Sequence, residues 1–183
     1  MTTGIQSQGT KGKVVRTGTV IAVCYSDALI DGVGKKVHQK GQITRWGLPG
    51  DIHYGETRVA SKTRQIIPND RPITVVGVEA AREICERLGI AEVPPGGLGE
   101  NLLVEGAGDL GDLLPGDEIR VIPAGGQEPG ATVQVRLQND PCANLSIYHK
   151  QMVKELYGKR GVICTVAQEG PVQVGDRIEI VRK

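Results

Sequence analysis

Cys142 stands in Asn139-Asp140-Pro141-Cys142-Ala143-Asn144-Leu145, between a cleanly alternating segment and one with helical spacing. A thiol at the start of a helix feels the partial positive charge of free backbone N–H groups. That charge favours the thiolate, the form that attacks electrophiles and binds soft metals. The plainer alternative is a small buried apolar residue, the common fate of a free cysteine. Gly50-Asp51-Ile52-His53-Tyr54-Gly55-Glu56 packs an imidazole between two acids, with glycines that permit close backbone approach. A Cys142/His53 pair would make a nucleophile and its base; otherwise His53 belongs to a solvated loop. Pro94-Pro95-Gly96-Gly97-Leu98-Gly99-Glu100-Asn101 can present N–H groups to an anion. It lacks the Lys-Ser/Thr of a phosphate-binding P-loop and the strand-to-helix setting of a dinucleotide fingerprint. Arg58, Lys62 and Arg64 form a basic cluster suited to phosphate, although charged loops are mostly just solvated.

The elements that must hold these residues are short. Val14 to Cys24 is β-branched and predicts a strand, with both faces apolar from Val20 onward. Ser26 to Gln65 is long, polar and punctuated by glycine, the kind of segment that is often functional when it occurs inside a domain. Pro72 to Val76 predicts a strand feeding a helix over Val78 to Leu88. There Val78, Ala81, Ile84, Cys85 and Leu88 follow three-and-four spacing, and Gly89 ends the run. Asn101 to Val104 and Thr132 to Gln138 read as strands. The form x-Gly-Asp-x-Ile-x-aliphatic occurs at Pro115 to Val121 and again at Val174 to Ile180, a turn followed by a strand each time. A second helix is expected over Ser146 to Tyr157, and a hairpin of Val162–Val166 with Arg177–Val181 closes the chain. Gln127 to Gly130 reads as a strand-to-strand turn rather than a linker. The expected architecture is α+β and β-rich, a single domain built round a β-barrel with about two helices.

Composition narrows the function classes. Twenty-two basic residues stand against 21 acidic ones, without the basic footprint of a nucleic-acid binder. Phenylalanine is absent and glycine makes up 26 of 183 residues, which suits a loop-rich β protein. Residues 1–12 read as a flexible, polar N-terminus with no apolar signal region. No apolar run is long enough to cross a bilayer. Cys24, Cys85, Cys142 and Cys164 form no C-x-x-C pair, so free thiols in the cytoplasm are the expectation. Cys24, Cys85 and Cys164 fall on strand or helix core positions.

Taken in order, Gly47-Leu48-Pro49-Gly50-Asp51-Ile52-His53-Tyr54-Gly55, Arg64-Gln65-Ile66, Pro95 to Leu102, Leu114 to Arg120, Asn139-Asp140-Pro141-Cys142 and Gly161-Val162 resemble the MOSC domain. That is the module named for the C-terminal part of molybdenum cofactor sulfurase. The resemblance runs from about Lys13 to Arg182. It implies a barrel fold and a cysteine, at Cys142, that handles sulfur or acts as a protein ligand to molybdenum. It also implies that His53, Arg64, Gly99, Glu100 and Asn101 share the cleft of Cys142, with Arg64 and the glycine loop holding the phosphate end of molybdenum cofactor (molybdopterin). For Glu100 the alternative is an acid bonded to its own loop's N–H groups.

Longer family members carry a pyridoxal-phosphate domain, an N-terminal barrel extension or a ferredoxin segment, and this sequence shows none of them. A small stand-alone member is therefore expected, with any cysteine desulfurase or reductase on a separate chain, a small-molecule substrate, and neither nucleic acid nor membrane as partner. Three functions follow as expectations. The first is a molybdenum-cofactor enzyme reducing N-hydroxylated substrates. The second is a persulfide-carrying module serving a cysteine desulfurase, and the third is a Cys142/His53 thiol hydrolase or transferase.

Overall fold

A computed structural model describes residues 12–60 and 63–183. The polar N-terminus and Lys62 therefore lie outside the described residues. Strand β1 (Lys13–Cys24) is long enough to serve two neighbours. Its first half pairs antiparallel with β12 (Arg177–Arg182), its second half with β7 (Leu102–Glu105), and a register shift in each pairing bends it. From β12 the sheet continues through β8 (Glu118–Ile122), β9 (Ala131–Gln138), β10 (Val162–Gln168) and β6 (Ile73–Gly77) back to β7. The β12–β1 pairing closes these seven strands into a barrel without free edges. Strands β6 and β7 are its parallel pair, joined by α1 (Val78–Leu88) as the crossover. Helix α1 runs over the residues its periodicity predicts, and Gly89 ends it in the left-handed region at φ 66°.

Alternation along the strands builds two cores. Val23, Val75 and Leu102 point into the barrel, where they meet Ile119, Val133 and Ile178. Their neighbours Cys24, Val76 and Leu103 point outward and pack under α1 with Ile84, Cys85, Leu145, Met152 and Leu156. Both faces of the wall are buried here, as the apolar run after Val20 requires. The long segment after Ser26 supplies β2 (Val37–His38), β3 (Lys40–Ile43) and β4 (Thr57–Val59), the last paired with β5 (Ile66–Pro68) in a separate hairpin. No helix among the described residues is long and apolar enough to cross a membrane.

Two expectations are corrected. The helix over Ser146 to Tyr157 is instead a 3₁₀ segment (Ala143–Ile147) and a single turn, α2 (Met152–Glu155). Met152 and Leu156 of the expected apolar stripe are fully buried, while Tyr148 turns its hydroxyl to the Gly97 carbonyl and the helical backbone is interrupted after it, at His149. The terminal hairpin does not form either. Strand β10 pairs with β9 and β6, and β12 with β8 and β1, while the intervening β11 (Gly170–Gln173) leaves the barrel to pair with β3.

Candidate functional site

The register of β9 against β10 creates the site. Gln138 lies opposite Val162, and beyond that pair the Asn139 N–H donates to the Gly161 carbonyl at 2.9 Å. The segment leading to Cys142 thus lies beside Arg160. Gly161 is required here: its φ is +78°, and a Cβ would stand 2.1 Å from the Val75 carbonyl oxygen. Above this seam opens a cleft of about 320 Å³, on the scale of a small-molecule site. Cys142, His53, Gly99 and Asn101 line it, together with Lys35, Arg71, Arg160 and Asn139.

Cys142 is half-buried, whereas Cys24, Cys85 and Cys164 are sealed in the core; all four are free. Burial pushes the Cys24 and Cys164 thiols far up, toward the inert protonated form. Cys142 precedes only a five-residue 3₁₀ segment, too short to carry much of a helix dipole, so the positive charge beside its sulfur comes from Arg160 instead. The Arg160 guanidinium is buried and donates through Nη1 to the Asp140 carbonyl at 2.8 Å and through Nε to the Leu98 carbonyl at 3.2 Å. Burial pulls its pKa down from the ordinary value, while the Cys142 sulfur and the Glu100 carboxylate favour its charged form. It makes no ion pair with a carboxylate among the described residues, and its hydrogen bonds go to backbone carbonyls.

The second cluster centres on Asp51, whose side chain is only 2% exposed. The Lys35 ammonium, 1% exposed, sits 2.9 Å from one carboxylate oxygen. His53 donates its backbone N–H at 2.9 Å and brings Nδ1 to 3.3 Å, and the Asn101 amide reaches the carboxylate at 3.3 Å. Burial alone would raise the Asp51 pKa, but hydrogen bonds from His53 and the Lys35 charge outweigh it and hold the carboxyl at about 2. Nδ1 is thus the His53 nitrogen engaged by Asp51, and the residue lines the cleft.

The remaining expected residues divide. Glu100 is 1% exposed and accepts the Gly96 and Leu98 N–H groups at 2.7 and 3.0 Å. The glycine loop's donors therefore hold the chain's own carboxylate, and Glu100 does not line the cleft. Arg64 sits in the connection between β4 and β5, with φ +58° and exposed, outside the cleft lining. The cations that do line it, Lys35, Arg71 and Arg160, carry no local sequence signal. Arg160 becomes visible only once β9 is paired with β10. Among the described residues no cluster of three or more His, Cys, Asp or Glu side chains could hold a bare metal ion.

The fold is a closed barrel with a cleft that holds Cys142, and comparison with known proteins gives the family. A sequence model of the MOSC domain matches residues 49–179, and the chain belongs to that family. It is 33% identical to YuaD of Bacillus subtilis strain 168, over 73% of this chain and 76% of that protein, whose name assigns it provisionally to metal-sulfur cluster biosynthesis. The crystal structure of Bacillus subtilis YuaD superposes with a TM-score of 0.79 at 28% identity, covering 93% of this chain and all of that one. YiiM from Geobacillus stearothermophilus shares the fold, with a TM-score of 0.63 at 20% identity over 90% of this chain and 75% of its own.

Proposed function

We propose that Cys142 is a sulfur-accepting thiol that holds a persulfide during metal–sulfur cofactor assembly, charged by a cysteine desulfurase or another persulfide donor on a separate molecule. The observation that carries this reading is that a half-buried Cys142 shares its cleft with a buried guanidinium that forms no ion pair with a carboxylate among the described residues. In the transfer, the Cys142 thiolate attacks the outer sulfur of a donor R–S–SH. A new S–S bond forms at Cys142, the donor's S–S bond breaks, and R–S⁻ leaves; no external oxidant or reductant is consumed. Arg160 stabilises the anionic sulfur, and His53, lining the same cleft, takes the proton of the Cys142 thiol and passes it to the departing thiolate.

The molybdenum-cofactor reading is the second one, and the cleft fits it in kind. One soft thiolate suits a metal that arrives with its own organic ligands, and Arg71 and Arg160 suit a phosphate-bearing pterin. Cys142 would be the protein ligand, and the bound cofactor would supply two-electron reduction of N-hydroxylated substrates. Intact mass after incubation with a cysteine desulfurase and cysteine, alongside molybdenum analysis of the same preparation, separates the readings. The persulfide reading expects a gain of one sulfur that is lost in Cys142→Ser and retained in Cys85→Ser. Retention in Cys142→Ser, or molybdenum near one atom per chain with no sulfur gain, overturns it.

A further inference from the structure

His53 and Arg71 wall two spaces at once. On one side is the cleft of Cys142; on the other is a groove of about 340 Å³. The exposed side chains of Ile52, Tyr54 and Val59 form the groove's apolar wall. Its polar side carries a charge imbalance. Asp70 answers three guanidiniums, Arg58 at 2.7 Å, Arg136 at 2.5 Å and Arg71 at 3.9 Å. One carboxylate shared among three cations leaves the cluster with a net positive charge; Arg58 and Arg71 face the groove, and Arg71, at 3.9 Å, is the one held least by Asp70. Nearby acids do not redress this: Asp51 is committed to Lys35, and Glu56 is exposed but does not line the groove. Nor does Asn69 compete for a ligand. Its amide donates to the His53 and Gly55 carbonyls at 2.9 Å each, and its oxygen accepts the Arg71 N–H at 3.1 Å.

We infer that this groove seats the carboxylates of an anionic low-molecular-weight persulfide, a peptide thiol persulfide of the glutathione type, whose outer sulfur reaches Cys142 through the shared wall. The inference rests on the persulfide reading and names its donor class. A groove of this volume matches a short peptide, the apolar wall takes its methylenes, and Arg71, with Arg58 shared from Asp70, takes its carboxylates. The step is the one already written, with R–S⁻ as the released peptide thiolate.

Three donors built on one peptide and differing chiefly in charge test it: glutathione persulfide (net negative), its monoethyl ester (net neutral) and its diethyl ester (net positive). Initial rates of sulfur gain, read by intact mass, should favour the glutathione donor over the neutral one on the order of tenfold in kcat/KM, carried by KM and shrinking with added salt. The cationic donor should be slowest. In Arg58→Gln the ratio of anionic to neutral donor should fall toward one, a ratio that an unspecific loss of folded protein does not move. Equal rates for all three donors, or an unchanged ratio in Arg58→Gln, overturn the groove assignment while leaving Cys142 as a sulfur acceptor. If no donor charges Cys142, the persulfide reading itself falls, and the groove assignment with it.

Discussion

The chain makes one turn three times and uses it for two purposes. Leu48-Pro49-Gly50-Asp51, Leu114-Pro115-Gly116-Asp117 and Gln173-Val174-Gly175-Asp176 each close with the Asp N–H donating to the first residue's carbonyl, at 3.0, 3.0 and 3.1 Å. In each the glycine has a positive φ, of 88°, 102° and 94°, as a type II turn requires. The aspartates are all buried. Asp117 and Asp176 turn their carboxylates back on the chain, accepting the Leu114 and Gln173 N–H groups at 2.9 and 2.8 Å, and Asp176 also takes the Ala124 N–H at 3.1 Å. They aim β8 and β12 into the barrel. Asp51 spends its oxygens on Lys35, His53 and Asn101 instead. The same tetrapeptide geometry is thus scaffold in two places and the organising centre of a site in the third. What decides is which side chains the fold brings within reach of the carboxylate.

Substitution to asparagine should expose that difference. Asp51→Asn leaves the Lys35 ammonium buried without its counter-charge and should cost about 3–5 kcal/mol of stability. In Asp117→Asn an amide oxygen still accepts the turn's N–H, so it should cost about 1 kcal/mol or less; in Asp176→Asn the amide's NH2 faces one of two N–H donors, and the cost should be about 1–3 kcal/mol. Urea unfolding of the three variants measures this directly, and equal losses would erase the distinction.

A smaller effect of the same origin follows from pH. The Asp51 carboxyl lies near 2 in the folded chain and near the ordinary aspartate value once unfolded. Its contribution is therefore complete above about pH 4 and is lost as pH falls toward 2, amounting to about 2 kcal/mol. Unfolding free energies of the wild type between pH 5 and pH 2 should show this decline, and Asp51→Asn should lack that share of it.

Much of the scaffold was legible because it is local. The spacing from Val78 to Leu88, the stop at Gly89, the double-faced apolar run of β1 and the Gly-Asp turns each follow from neighbouring residues. Cys142, His53, Gly99 and Asn101 were legible as candidates, and the fold gathers them on one cleft. Arg160, Lys35 and Arg71 were not, since each is a single charged residue outside any periodic pattern. Arg160 reaches Cys142 only through the β9–β10 register, and a sequence reading that pairs β10 with β12 misses it. The second helix failed for a related reason. Met152 and Leu156 of its apolar stripe are buried, but the segment forms a 3₁₀ piece and a single turn, with the long-range Tyr148–Gly97 hydrogen bond between them invisible to local spacing.

The claim on which the site rests is that Cys142, held against Arg160, is the chain's reactive thiol. Site-resolved iodoacetamide labelling of the native protein, followed by peptide mass analysis, tests it most directly. Cys142 should be alkylated well before Cys24, Cys85 and Cys164, and Arg160→Gln should slow its labelling while leaving the other three protected. Labelling of Cys142 no faster than that of the buried cysteines, or at an unchanged rate in Arg160→Gln, would contradict it.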